Sequence, residues 1–217
     1  MKKIILSIIL SLSFYLTYSQ SDNTMSDAFG FLSEEIFIEG NLQFSMVNNQ
    51  DIEDKTTYFT ANPKVGYFLT DNFAVGLQGN YTLEKYTAQD INSDIKLNTY
   101  AGGIFGRYYF LELGKRFFTY AEIGGTYGLT EGTVTDIIKG TSSNLDGVNT
   151  INSGLSLGMN YFVNKNILIS FTLSDLVTYN YKKSKANESK PIESINADLN
   201  IINNFFQTAK FGVMFLL

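Results

Sequence analysis

The chain is 217 residues long, carries a formal net charge of −5, and combines 18 Gly with 2 Pro, 14 Tyr and 18 Phe. That length fits one domain, the profile is β-rich, and the acidic balance excludes the basic surface that a nucleic-acid partner requires. Cys and His are both absent, which excludes disulfide scaffolds, thiolate metal centres, a lipidated N-terminal Cys, the Ser-His-Asp triad and the commonest transition-metal ligand.

Residues 1–19 read as a signal peptide. Lys2 and Lys3 make a basic start, Ile4–Leu16 an apolar stretch of 13 residues, and Thr17-Tyr18-Ser19 sets small residues at the −3 and −1 positions of a cleavage site before Gln20. Such a stretch is too short to cross a bilayer as a helix, which takes about 20 residues. Cleavage removes both lysines and leaves 14 basic against 21 acidic residues, a net charge of −7. Residues 20–33 form an N-terminal lead-in, and 34–217 carry the barrel argued below. No later apolar run reaches 18 residues, so any passage through a membrane is made by strands.

From residue 34 onward apolar side chains recur with period two. The pattern predicts strands over 34–47, 57–69, 73–86, 97–110, 117–130, 150–163, 167–181 and 195–217. Connections alternate in length. "TDN" (70–72), "LELGKR" (111–116) and "NKN" (164–166) are short; "NNQDIEDKT", "KYTAQDINSDIKL", "EGTVTDIIKGTSSNLDGVN" and "KKSKANESKPIES" are longer and polar. Eight strands with short turns at one end and long loops at the other describe an all-β, up-and-down antiparallel barrel.

One face of every strand is apolar, for example Ile38, Leu42 and Phe44, then Val75 and Leu77, then Leu155 and Leu157. The other carries Glu39, Asn41, Gln43, Lys64, Gln78, Asn80, Arg107, Glu122, Asn152, Ser156, Asn160, Thr172 and Lys210. A soluble lipocalin-like barrel would turn the apolar face inward. Against that, the polar face is poor in charge and rich in Gly, Ser, Asn and Thr, which suits a filled lumen. Aromatics on the apolar face also fall in two rows. Tyr67, Phe73, Tyr108, Phe110, Phe117 and Tyr161 flank the short turns, whereas Phe59, Tyr81, Tyr100, Tyr127 and Tyr179 lie towards the long loops. Pairs such as Phe73 and Tyr81 are eight residues apart, and eight steps of ~3.3 Å on a tilted strand rise roughly 20 Å, close to the ~25 Å apolar band of membrane barrels. Lipid is therefore expected outside.

Glu39, Lys64, Arg107, Glu122 and Lys210 are inward charges expected at one height, where opposite signs interlock as a plug. Antiparallel partners have residue numbers of constant sum, so a direct pairing of Arg107 with Glu122 centres its hairpin between Gly114 and Lys115, with Gly available for a positive φ. Asp90, Asn92 and Asp94 begin with calcium-loop spacing, but Ile95 and Ala101 stand where that loop needs Gly and a bidentate Glu. Asn80-Tyr81-Thr82 and Asn187-Glu188-Ser189 match the N-glycosylation pattern without a context that supports it. The basic run 182–190 reads as a solvated loop whose charge also suits an anionic surface polymer.

Parity, loop alternation and the C-terminal run resemble small eight-stranded outer-membrane barrels of the OmpA/OmpX type and the "outer membrane protein beta-barrel domain" family. The residues that carry the resemblance are "GYFLTDNFAVGL" (66–77), "GGIFGRYYF" (102–110), "YAEIGGTYG" (120–128) and "KFGVMFLL". In the last of these Lys210, Gly212, Phe215 and the terminal Leu217 resemble the signal read by the barrel-assembly machinery, with Leu where an aromatic is usual. The resemblance implies a monomer in the outer membrane with periplasmic short turns and extracellular loops, in contact with outer-membrane lipid and lipopolysaccharide, and without cofactor. Barrel enzymes of that membrane use an active-site histidine, so the chain is expected not to be an enzyme. A structural or surface-interaction role and a narrow porin-like channel both stay open, and single-channel conductance separates them.

Overall fold

A computed structural model describes residues 29–49, 54–88, 93–197 and 210–217. The predicted signal peptide, Asp90 and Asn92 lie outside the described residues. The strands are β1 (Ile36–Asn49), β2 (Asp54–Thr70), β3 (Phe73–Ala88), β4 (Ser93–Leu113), β5 (Phe117–Asp136), β6 (Thr141–Phe162), β7 (Ile167–Ser184), β8 (Ile192–Ala197) and β9 (Lys210–Leu216). All neighbours are antiparallel, running from β1 to β7 in chain order. Both β8 and β9 pair with β7, and β9 returns to β1 at Ile38↔Phe215. The sheet thus closes on itself through β9, at Phe37–Gly40 of β1.

Most strands begin or end a few residues from expectation, β4 for example running over Ser93–Leu113 and not 97–110, and two departures are larger. The last strand, read as one element over 195–217, is described as β8 and β9, two segments along different stretches of β7. The expected long loop at 131–149 is instead a continuation of the β5–β6 ladder up to Asp136↔Thr141. The reason is compositional: "GTVTD" is rich in β-branched residues that pair well across a ladder, whatever their polarity.

The turns are closed by side-chain oxygens that accept from the backbone just ahead. Thr70 Oγ1 accepts from Asn72 N and Phe73 N, Asp136 Oδ1 from Ile138 N and Lys139 N, and Asn164 Oδ1 from Asn166 N and Ile167 N. In the β4–β5 turn Gly114 adopts φ 70°, a left-handed conformation that a side chain would oppose.

Face assignment follows the predicted parity. Leu42, Leu77, Ile104 and Ile123 point outward and are 65–74% exposed, while Arg107 and Phe37 point inward and are fully buried. Among the described residues no helix is long and apolar enough to cross a membrane. Both aromatic rows lie on the outer face, where neighbours touch: Tyr81 and Tyr100 at 5.2 Å, Phe117 and Tyr161 at 4.6 Å between ring centres.

Candidate functional site in the barrel lumen

The lumen has three levels, each dictated by the inward residues of successive strands. At the short-turn end it is apolar. Phe37, Phe68, Phe105, Tyr109, Tyr120, Phe162, Leu168 and Met214 are buried there, and Phe31 of the lead-in closes the level from below. Phe31 stacks on Phe68 at 4.6 Å and also meets Tyr109 and Phe118. Space for these rings comes from cross-strand glycines: Gly66 lies opposite Phe37, Gly76 opposite Phe105 and Gly158 opposite Tyr120, and a Cβ on any of the three would run into the ring. A wholly polar filling was expected. The departure follows a visible signal, since "GYFL" (66–69), "YYFL" (108–111) and "ILI" (167–169) are runs without a polar break, the mark of strands apolar on both faces.

Above this floor sits a charged septum. Arg107 donates through Nη1 to Glu39 Oε2 at 2.6 Å, through Nε to Glu122 Oε2 at 2.8 Å and through Nη2 to the same Glu122 oxygen at 2.6 Å. Lys64 pairs with the other oxygen of Glu122. The ring of Tyr120 lies under the guanidinium at 4.1 Å, where a cation is attracted to the π face. Tyr109 OH donates onward to Asn160 Oδ1, whose amide donates to Ser170 Oγ. On β3 the inward residue at this height is Ala74, directly opposite Arg107, and its small side chain leaves the guanidinium room. Two cations and two anions thus cancel, and hydrogen bonds from several strands satisfy them, which is the condition under which buried charge is tolerated.

Four of the five predicted lumen charges therefore meet: Glu39, Lys64, Arg107 and Glu122. Lys210 does not join them, a correction to the expected network. It lies four residues along β9 from Met214, the register partner of Glu39, and lines the cavity above the septum instead. Its partner is Asp175, at 3.2 Å, in a half-exposed pair.

Asp175 is a residue that sequence reasoning missed. The β6–β7 register runs Gly158↔Thr172, Leu157↔Ser174, Ser156↔Asp175 and Leu155↔Val177, so Leu173 and Leu176 are extra residues of two successive bulges. Bulges re-aim side chains. Here the bulge at Leu173 turns Asp175 onto the side of inward Ser156, although simple alternation from Ile167 and Ile169 would put it against lipid, and the bulge at Leu176 restores the parity for Val177.

The third level, nearest the long connections, is a cavity of about 420 Å³ walled by amides, hydroxyls and the Asp175–Lys210 pair. On its β1–β3 side the amides form a ladder: Asn80 Nδ2 donates to Asn62 Oδ1 and Asn62 Nδ2 to Asn41 Oδ1, at 2.6 and 2.7 Å. No cluster of three or more His, Cys, Asp or Glu side chains suited to a metal ion occurs among the described residues.

The other predicted positions fall on the wall itself. Phe215 and Leu217 lie at the outer face of the closing seam, Leu217 N donates to Ile36 O, and Gly212 sits where a Cβ would crowd the backbone of Gly40. At the long-connection end Lys182 and Lys183, near the end of β7, and Lys185 and Lys190, in the turn that follows, are all exposed.

No protein-family model and no curated protein matches the chain. Across most of its length it does match solved structures of small eight-stranded outer-membrane β-barrels. The outer membrane protein OprG of Pseudomonas aeruginosa is 13% identical, over 88% of this chain and 99% of that one, with a TM-score of 0.49. Outer Membrane Protein W of E. coli gives 13%, 86%, 99% and 0.47, and Ail, the attachment invasion locus protein of Yersinia pestis, 14%, 86%, 100% and 0.44. At such identities the likeness concerns the fold alone, and the eight-position ring stands on the ladder register described above.

Proposed function

We propose that the chain is an outer-membrane barrel with a structural and surface-presenting role, exported through cleavage after Ser19, and not an enzyme or an open pore. The observation that carries this reading is Arg107, fully buried and clamped between Glu39 and Glu122 across the middle of the lumen. Moving an ion past that point means separating charges that the interior has already desolvated, a cost of several kcal/mol. The outer face supports the membrane location, because its apolar belt lies between two aromatic rows. An outward role then belongs to the long connections, which include the ordered turn at 137–140 and the lysines after β7. Their charge suits contact with lipopolysaccharide or another anionic surface polymer.

The test has two arms. Purified protein in a planar bilayer should give conductance near baseline, and steady ohmic conductance from the wild type would overturn the reading in favour of a narrow channel. Intact cells bearing the wild type, and cells bearing a variant with 137–140 and 182–190 replaced by short Gly-Ser turns, should then differ in binding to surface polymers.

A further inference from the structure

We propose that the upper lumen is a binding site for a neutral polyhydroxylated ligand, a sugar ring entering from the long-connection end. The inference goes beyond the surface role and does not depend on it. A volume of about 420 Å³ lies within the ~300–1,000 Å³ range of small-molecule sites, and the septum gives the cavity a closed floor.

Charge narrows the ligand class. Lys64, Glu122, Asp175 and Lys210 reach the cavity, two of each sign, and each is already in an ion pair. An anion would find no spare cation. A zwitterion would have to split Lys210 from Asp175, and an apolar guest would strip water from amides and hydroxyls without replacing it. What remains favourable is a molecule that is uncharged and dense in hydroxyls.

The two walls then differ in a way that points to where such a ligand sits. Across β1–β3 the amides satisfy one another through the Asn80–Asn62–Asn41 ladder. Across β5–β7 the cavity is lined by Thr126, Asn152, Ser156 and Thr172, whose side chains make no hydrogen bond to other described residues. Asn152 stands directly opposite Thr126 on one side, and Ser156 opposite Asp175 on the other, so these groups form one patch. Only Oδ2 of Asp175 is used by Lys210, which leaves Oδ1 to accept. Hydroxyls are at once donors and acceptors, so vicinal pairs on a sugar ring fit an array of carboxylate, amide and hydroxyl groups. Tyr58, higher on β2, adds an aromatic ring to the lining against which the apolar face of a sugar can lie.

The test uses the full chain refolded in lipid nanodiscs and titrated separately with glucose, N-acetylglucosamine, maltose, glycine and acetate. The readout is the NMR signals of the Asn152 side-chain amide and the Thr126 methyl group. At least one sugar should shift both signals saturably, while glycine and acetate do not. Thr172→Val and Asn152→Leu should each weaken the sugar by roughly three- to ten-fold, the effect of losing one net hydrogen bond. Thr172→Val is nearly isosteric, so it keeps the test decisive if Asn152→Leu fails to fold. Linear, non-saturating shifts with every sugar would overturn the proposal. So would saturation by glycine or acetate alone, or sugar binding that Thr172→Val leaves unchanged.

Discussion

Arg107 and Glu122 are direct partners in the β4–β5 ladder, and two guanidinium nitrogens of the first, Nε and Nη2, donate to the same carboxylate oxygen of the second. Glu122 also holds Lys64, and Arg107 also holds Glu39. Removing either partner strands charge in a closed lumen. Arg107→Met and Glu122→Gln should each cost about 3–5 kcal/mol of unfolding free energy, and the double variant less than their sum. Urea unfolding from lipid vesicles measures the cycle, and strict additivity would mean that the pair is not coupled.

Close packing of glycine against aromatic rings makes a second prediction. Gly66→Ala should destabilise the barrel by about 1–3 kcal/mol, because the new Cβ meets the ring of Phe37. Phe37→Leu in the same chain should recover part of that loss. Heat-modifiability on gels ranks the variants, and a neutral Gly66→Ala would show that the floor is loosely packed.

Leu77 and Ile104 are register partners on the outer face, each 67% exposed. Leu77→Arg should weaken insertion by about 2–4 kcal/mol if that height is the bilayer midplane, whereas Gln78→Arg perturbs only the lumen. Equal folding yields of Leu77→Arg and wild type in vesicles would invert the faces.

Phe31 separates sealing from stability. Phe31→Ala should cost about 3–5 kcal/mol, the usual loss for a buried Phe, through the ring contacts with Phe68, Tyr109 and Phe118. Conductance should nevertheless stay at baseline, since the septum above it is untouched. Current through Phe31→Ala would move the seal from the charges to the lead-in.

Glu35, outside the strands at the short-turn rim, has its carboxyl raised above the ordinary value of 4.5, chiefly by burial and further by Asp71, against the lowering effect of a hydrogen bond from Leu32 N. A folded-state value above the unfolded one means that the docked lead-in binds protons more readily. Docking should therefore strengthen as pH falls through the raised value, level off below the unfolded value, and be weakest above both. Amide exchange at Leu32 across that window reports it, and Glu35→Gln should flatten the profile.

Much of this architecture was legible in the chain, because alternation assigns a face to each residue and hairpin arithmetic assigns partners. Ile38, Leu77 and Ile123 were placed outward, and Arg107 opposite Glu122, by those rules alone. They fail where the period breaks. Asp175 lies between two extra residues, Leu173 before it and Leu176 after it, which no count of twos can locate. Phe31 belongs to no strand, so periodicity says nothing of it. Lys210 pairs with Asp175 rather than with the septum, and Asp175 faces inward only because of the β7 bulge.

The two bulges in β7 have a consequence for changes in chain length. In a regular stretch of strand, losing one residue turns everything beyond it inside out. The β6 register passes over Leu173 and Leu176, so deleting either would leave Thr172, Asp175 and Val177 opposite Gly158, Ser156 and Leu155 as before. Each bulge thus acts as a single residue of slack, a place where β7 can absorb a one-residue deletion without exchanging its wet side for its oily one.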